Sequence, residues 1–543
     1  MEKDIQKSII QLIKESLKGF ENSPSEEPQL DLTQDSKFGD LSTNIAMRLS
    51  KQLIEPPREI AVKLIANINS EVEKLGLRDY IKEVKVEGAG FINFYLSEKY
   101  LYEALKDILS REKEALRVDL GKGKRVLIEF VSANPTGSLS VAHARQAAVG
   151  DALASILGFL GFKVSKEYYL NDEGNQINIL GKSTELRMQE LAGEKIEFPE
   201  NYYQGEYIYD IAKIAREKGI KTDDLGNFAA DYILSIIKQE LHDFGVEFEC
   251  WYSQKELGRS GKIEQAFDYL KKKGLLYDSD GALWFKSTDF LDDKDRVVVK
   301  SDGSQTYLAP DIAYHDDKYR RGFEWLINIW GPDHHGYINR LKSSVAAFGR
   351  DPNSLSILIV QLATIFRDGK PVQMSTRRGE YITLREVLDE VGRDAARFFF
   401  MARRTSSHLD FDLDIAKAQT AQNPVYYVQY AHARIHSILR NSIIKSDNDT
   451  DFSLLQEKEE IALIKKLLQF SYILNICLST QDPYMLTVYL QELSESFHKF
   501  YDVCRVLTDD KQLTKARLAL IEGVRIVIAT GLDLLGVSKP EKM

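Results

Sequence analysis

One pattern between residues 125 and 170 limits the fold more than any other. Val126-Leu127-Ile128-Glu129-Phe130-Val131 is a short, nearly continuous apolar run, as expected of a strand buried on both faces of a parallel sheet. Asn134-Pro135-Thr136-Gly137 breaks it with turn-forming residues. Val149, Leu153, Ile156, Leu157 and Leu160 then recur at helical spacing up to Gly161, and Val164, Lys166, Tyr168 and Leu170 alternate as a second strand. Strand, loop, helix and strand make a βαβ unit, in which the two strands run parallel. Residues 325–330 form a further apolar strand that runs into Gly331 and a helix, and residues 355–360 form another. The predicted fold is α/β, with a doubly wound parallel-sheet (Rossmann-like) domain that takes its ligands at the carboxyl ends of the strands.

The flanks read differently. Ile5, Ile9, Ile10, Leu12, Ile13 and Leu17 mark an N-terminal helix. Val84 and Val86 alternate with charged residues, and Gly88-Ala89-Gly90 leads into Phe91-Ile92-Asn93-Phe94-Tyr95, giving two strands and a turn. The charged stretch 110–124, with Gly121 and Gly123, reads as a linker. From Leu384 the strand signals vanish, and helical patterns such as Ile461, Leu463, Ile464, Leu467 and Leu468 predict a bundle with loops at 446–451 and 481–483. The expected division is an N-terminal α/β unit over 1–120, the parallel-sheet domain with insertions over 121–384, and a helical domain over 385–543. Three to four domains suit 543 residues, taking ~150 residues per domain.

Composition excludes several classes. The apolar stretches fall short of the ~20 residues that span a bilayer, so no membrane association is expected. The N-terminus mixes Lys3, Asp4, Lys7, Lys14 and Glu15 among its apolar residues, unlike a secretory signal. Cys250, Cys477 and Cys504 are widely spaced with no CxxC pair, which argues for buried thiols in a reducing, cytoplasmic setting rather than a disulfide framework or zinc site. A net charge of −10 disfavours nonspecific polyanion binding while leaving room for local basic faces.

The chemistry concentrates in residues 129–145. A strand end meets a helix N-terminus there, where free N–H groups and the helix dipole favour an anion. Neither GxGxxG nor GxxxxGK[ST] is present, so the dehydrogenase and P-loop readings lose their usual mark. His143 is placed to donate to a phosphoryl oxygen as charge builds, although a lone histidine at a helix start is more often a cap. His334 and His335 invite zinc, but chain neighbours point to opposite faces and no Cys or third His stands at ligand spacing, so no metal site is expected.

Ser132-Ala133-Asn134-Pro135-Thr136-Gly137, followed by His143-Ala144-Arg145, resembles the class I aminoacyl-tRNA synthetases at their HIGH element, and most closely the arginyl-tRNA synthetases. Further matches follow in the same order: Phe38-Gly39-Asp40, Tyr169-Leu170-Asn171-Asp172-Glu173-Gly174-Asn175-Gln176, Lys300-Ser301-Asp302-Gly303, Gly331-Pro332-Asp333-His334-His335, Met374-Ser375-Thr376-Arg377 and Gln422-Asn423-Pro424-Val425-Tyr426-Tyr427. The resemblance implies ATP-dependent ligation of L-arginine to its tRNA through an arginyl-adenylate. ATP enters as substrate with accompanying Mg²⁺, without zinc, in a cytoplasmic monomer that activates arginine with tRNA bound. It implies an arginine pocket of Glu129, Ser132, Asn134, Tyr307, Asp311 and Gln254, with Asn134 at the α-amino end. Asp311 leads that set because a guanidinium is best held by carboxylates through paired, charge-assisted hydrogen bonds. The implied ATP side is Ala142, His143, Gly331, Asp333, His334 and Met374, and the implied catalytic groups are His143, Ser140, Ser375 and Arg377. The implied tRNA contacts are Phe38 in the N-terminal unit and Tyr426, Tyr427, Tyr430 and Arg434 in the helical domain, amid Arg393, Arg397, Arg403, Arg404, His432 and His436.

Three departures from the family pattern stand out. Ser140 and Ala142 replace the first His and the Gly of HIGH. Gln373 and Thr376 stand where the KMSKS loop carries lysines, and Gln254 stands where a glutamate of the arginine pocket is expected. They motivate the alternative of a noncatalytic tRNA-binding paralogue.

Overall fold

The computed structural model describes residues 5–20, 26–33, 35–372, 381–445, 447 and 449–543. Its centre is a five-stranded, all-parallel sheet of β1 (Arg125–Glu129), β2 (Lys163–Leu170), β3 (Cys250–Ser253), β4 (Trp325–Trp330) and β5 (Leu355–Ile359). The strand order is β5-β4-β1-β2-β3, so the order reverses beside β1 and opens a crevice at the carboxyl ends of β1 and β4. The β1 core residues Val126, Leu127 and Ile128 are buried, as their apolar run predicts.

Helix α1 (Val141–Phe159) connects β1 to β2 and lies close on the sheet because Ala144, Ala147, Ala148 and Ala152 keep its face small. Gly150 is required there, since a Cβ would lie 2.4 Å from the Phe130 ring. Between β2 and β3 come α2 (Asn175–Leu191) and the helices Glu206–Glu217 and Leu225–Asp243. After β3 an insertion that the sequence reading did not resolve carries a three-stranded antiparallel sheet of Leu276–Ser279, Ala282–Phe285 and Arg296–Val299. Helix α3 (Leu308–Arg320) then leads back to β4.

The N-terminal hairpin forms as expected, with Ile81–Glu87 antiparallel to Phe91–Leu96. The linker expected over 110–124 is corrected. Helix Glu98–Arg111 runs into it, a 3₁₀ turn follows at Glu112–Ala115, and Leu116 is buried. The reason is an apolar set, Leu105, Ile108 and Leu116, spaced among the charges; Leu105 reaches the spot where a Cβ on Gly523 would stand, at 2.9 Å.

The C-terminal part contains α4 (Leu384–Met401), kinked at Gly392 where φ is 77°, α5 (Pro424–Asn441), α6 (Tyr484–Val503) and α7 (Lys511–Leu535). One expectation fails here: Leu409–Asp412 is a strand, paired in parallel with Ala363–Arg367. Its Leu409 and Phe411 are buried and alternate with the two aspartates, a period-2 signal too short to stand out. Residues 458–480 are long and apolar enough to cross a membrane by composition alone, but they form two helices whose Leu463, Ile464, Leu467, Phe470 and Leu474 are buried in the core.

Two fully buried arginines tie the sheet to the bundle. Arg145 donates to the backbone oxygens of Gln361 (2.8 Å), Ser407 (2.9 Å) and Arg404 (3.0 Å). Arg397 donates to Asp151 Oδ2 at 2.6 Å and to the Leu535 and Phe244 carbonyls. Arg397 therefore leaves the basic face to which the sequence reading assigned it.

Candidate active site

The site grows from a strained turn. Directly after β1, Val131 and Ser132 both take positive φ, 68° and 41°, and the Ser132 N–H donates back to the Phe130 carbonyl at 2.9 Å. A β-branched residue with positive φ is a genuine outlier, and such strain persists where the surroundings over-determine it. Here Tyr168 Oη holds the Ala133 carbonyl at 2.8 Å, Tyr207 Oη the Thr136 carbonyl at 2.6 Å, and Tyr381 Oη the Ser138 carbonyl at 2.9 Å. Three phenols on three separate segments thus set the path of the loop toward α1.

His143 does two things at once. Its Nδ1 accepts from the Ser140 backbone N–H at 3.2 Å, with Ser140 Oγ 3.1 Å from the same nitrogen, closing the first turn of α1. A backbone amide can only donate, so Nδ1 carries no proton and the neutral ring bears its proton on Nε2. Burial pushes the His143 pKa down to about 4, against the opposing charge of Asp333. The cap that a lone histidine suggests and the donor that a phosphoryl group needs coexist in one residue. Ala142 is half-buried in the same turn.

Across the crevice, Gly331 follows β4. A Cβ there would stand 2.7 Å from Asp333 Oδ1. His334 Nε2 lies 3.3 Å from Asp333 Oδ2, both largely exposed, and the His334 ring stands 5.7 Å from Trp330. Among the described residues no three His, Cys, Asp or Glu side chains come together to hold a metal ion. Met374, Ser375 and Arg377, with Gln373, Thr376 and Arg378, lie outside the described residues. The segment following them is locked to the site: the Leu384 N–H donates to the Leu139 carbonyl at 2.8 Å, and Thr383 bridges Ser140.

The carboxylates sort themselves by partner. Glu129 Oε2 accepts from the fully buried Lys318 Nζ at 2.6 Å, and its Oε1 from Ser132 Oγ at 3.2 Å. Lys318 also donates to Asn328 Oδ1 at 3.2 Å; Asn328 Nδ2 reaches His315 Nε2 at 2.8 Å, and His315 Nδ1 donates to the Asp311 carbonyl at 2.8 Å. One hydrogen-bonded chain thus runs from the end of β1 to the first turn of α3. Glu129, assigned to the pocket from sequence, has its charge matched internally. Asp311 has no cationic partner among the described residues; its Oδ2 accepts from Tyr337 Oη at 2.7 Å. Burial, opposed by the Tyr337 hydrogen bond, pushes its pKa up to about 6.

The remaining pocket residues divide. Asn134 donates to Gln176 Oε1 at 2.7 Å. Gln254 accepts from Tyr169 Oη at 3.1 Å and donates to Glu173 Oε1 at 3.1 Å. Tyr307 stands 75% exposed at the start of α3, outside the network that holds Asp311. Sequence reasoning missed Lys318, Asn328, His315, Tyr337 and Tyr169, whose roles depend on tertiary pairing that no local spacing announces. Asp172, to which it gave no role, accepts from Ser253 Oγ at 2.6 Å and from the Lys255 N–H at 2.9 Å, and so fixes the turn that carries Gln254.

Far from the crevice, Tyr426 and Tyr430 on α5 stack at 6.2 Å with planes 7° apart, and the His498 ring lies 5.0 Å from Tyr427 and 5.8 Å from Tyr430. Arg434 covers Tyr501 at 4.1 Å. Tyr430 is 38% exposed, while His432 is buried and donates to the Pro540 carbonyl. Phe38 is exposed, with Lys37 over its ring; Gly39 behind it has φ 92°, and a Cβ would stand 2.8 Å from the Phe94 carbonyl.

A five-stranded parallel sheet with this order, a neutral histidine at the first helix and a Gly331-Pro332-Asp333 element at the facing strand end define the catalytic domain of a class I aminoacyl-tRNA synthetase. Three family models match in sequence along the chain: the arginyl tRNA synthetase N terminal domain over residues 4–96, the catalytic domain of tRNA synthetases class I (R) over 104–438, and the DALR anticodon binding domain over 428–543. An arginine–tRNA ligase of Geobacter sp. (strain M21) is 48% identical over 525 residues, covering 94% of this chain and 93% of its own. One from Listeria monocytogenes serotype 4b (strain F2365) is 44% identical over 553 residues, covering 99% and 98%. The Thermus thermophilus arginyl-tRNA synthetase structure shares the fold with a TM-score of 0.79 at 22% identity, covering 99% of this chain and 100% of its own. The chain belongs to the arginyl-tRNA synthetase family.

Proposed function

We propose that the chain ligates L-arginine to its tRNA with ATP, through an arginyl-adenylate and with release of pyrophosphate and AMP. Besides the family membership, the observation that carries the substrate assignment is Asp311, a recessed carboxylate without a cationic partner among the described residues, held by Tyr337 of the turn that follows Gly331. An arginine side chain supplies the missing charge and a donor fork that matches the carboxylate.

In this reading the arginine carboxylate attacks the α-phosphorus in line, and the protein's work is positioning and charge stabilisation. His143 donates through Nε2–H to phosphoryl oxygen as charge develops, and Ser140 fixes its tautomer. Gly331 and Asp333 take the ribose side, with His334 beside them, and Asn134 takes the α-amino group. Mg²⁺ travels with ATP. Ser375 and Arg377 act from the segment of sequence after strand Lys370–Pro371. The Tyr426, Tyr427, Tyr430 and Arg434 surface takes tRNA bases, and Phe38 takes the outer tRNA corner. The working form is a cytoplasmic monomer that activates arginine with tRNA bound.

The test is transfer of labelled arginine to bulk tRNA with ATP and Mg²⁺, with lysine and cysteine as controls. Arginine-only charging is expected. Charging of lysine or cysteine overturns the substrate; tRNA binding without ATP consumption overturns the catalysis.

A further inference from the structure

Glu173 lies in the loop after β2, and its carboxylate has no cationic partner among the described residues. Its Oε1 is held at 3.1 Å by Gln254 Nε2, and the other end of that amide accepts from Tyr169 Oη at 3.1 Å. Tyr169 sits where several charges converge. Its pKa is driven upward by burial first, and then by the charges of Asp311, Glu129 and Glu173. Of these three carboxylates, Glu129 is neutralised by Lys318 at 2.6 Å. The Tyr169 ring packs 4.6 Å from Tyr314, one turn beyond Asp311 on α3, so the hydrogen-bonded chain Glu173–Gln254–Tyr169 reaches the helix that carries Asp311, and neither Glu173 nor Asp311 has a cationic partner among the described residues.

Gln254 is not a competitor for that space. Asp172 caps the turn beneath it through Ser253 and Lys255, and the amide's donor meets Glu173 while its acceptor meets Tyr169. A neutral amide cannot neutralise a guanidinium, but it can aim a carboxylate that does.

We infer that Glu173, aimed by Gln254, is the second carboxylate that recognises the substrate guanidinium opposite Asp311. The inference rests on the arginine reading above and names a specificity residue within it, with Gln254 as a positioning residue.

The experiment measures KM for arginine, KM for ATP and kcat in tRNA charging by the full chain. In Glu173→Gln the arginine KM is expected to rise about tenfold or more, with kcat within about threefold and the ATP KM unmoved, because a charge-assisted contact becomes a neutral one. Gln254→Leu should raise the arginine KM as well, and the double variant should show less than the product of the two rises, since both act through one carboxylate. Glu173 is exposed, so its substitution leaves the fold intact, which a thermal melt verifies. An unmoved arginine KM in folded Glu173→Gln, an equal rise in the arginine and ATP KM values, or multiplicative effects in the double variant would each overturn the inference alone. Failure of the unaltered chain to charge arginine would bring down the arginine reading and this inference together.

Discussion

Asp311→Asn tests the site from two directions at once. Asparagine keeps an acceptor for Tyr337 Oη but removes the charge. If Asp311 holds the guanidinium, truncating one member of a buried charge pair costs about 2–5 kcal/mol, or roughly a 30- to 5,000-fold loss in kcat/KM for arginine. The ligand-free protein should move the opposite way. Its Asp311 pKa is raised from 3.8 to about 6, so the folded state holds that proton more tightly than the unfolded chain does. For an acid raised in this manner, the destabilisation is absent below the unfolded value, grows between about pH 4 and pH 6, and is full above. Its size is at most about 3 kcal/mol, from 1.36 kcal/mol per unit. Asp311→Asn should therefore melt higher than the unaltered chain at pH 7.5, with the difference shrinking as pH falls toward 4. In the unaltered enzyme kcat/KM for arginine should fall below about pH 6 as the free carboxyl takes up a proton. Parallel melts and charging kinetics check both halves. Unchanged arginine kinetics would remove Asp311 from the pocket, and a lower melt at neutral pH would refute the account of an unpaired buried charge.

His143→Ala should lower kcat by about 10²–10³-fold while costing only ~1 kcal/mol of stability for the lost cap. With the His143 pKa near 4, kcat should show no histidine inflection between pH 5 and 8, and an inflection near 6.5 assignable to His143 would contradict its neutral state. Tyr430→Ala should weaken tRNA binding by about 1–3 kcal/mol with little change in melting, whereas Tyr427→Ala, packed on His498, should lower both. Arg397→Met should destabilise by about 3 kcal/mol, because it leaves Asp151 with Lys166 alone and deprives the Leu535 and Phe244 carbonyls of their buried donor. A denaturant titration reads it, and an unshifted midpoint would deny the clamp.

What could be read from the sequence followed period and order. The apolar run 126–131 and the small-residue helix after it carry local signals, and they placed β1, α1 and the crevice. The stretch 110–124 reads as a linker because Leu105, Ile108 and Leu116 acquire meaning only when the distant helix α7, whose Gly523 meets Leu105, packs against this part of the chain. The strand Leu409–Asp412 was missed because its pairing partner lies over forty residues upstream and half its residues are acidic. Within the candidate site, asking what a guanidinium requires singles out Asp311 as an expectation. Lys318 could not: a lysine in a charged helix reads as solvated until the fold places Glu129 2.6 Å from it. Arg397 erred in the same direction, being taken as surface and found buried on Asp151.

Most of the acids buried around the sheet are matched by a cation, which bears on how the candidate site can discriminate. Glu167 is occupied by Arg321 through two hydrogen bonds of 2.6 and 2.9 Å, Glu129 by Lys318, and Asp151 by Arg397 and Lys166. Each such pair is complete, so a cationic ligand gains little by approaching it and would have to displace a partner already desolvated. Asp311 is left without a cation among the described residues, and its incompleteness is maintained: His315 and Asn328 fix its backbone and position Lys318 toward Glu129, rather than leaving that ammonium free to swing to Asp311. Lys318→Met should then do more than unsettle Glu129. With the internal cation gone, Glu129 becomes a further unmatched carboxylate beside the pocket, and a compact ammonium such as lysine gains a place that the arginine fork does not need. Charging assays with the two amino acids should show the arginine-to-lysine preference in kcat/KM narrowing by about tenfold or more, against a loss of ~3–5 kcal/mol in stability. A destabilised variant whose preference is unchanged would refute the idea that Lys318 guards specificity and leave it as a fastener of the fold.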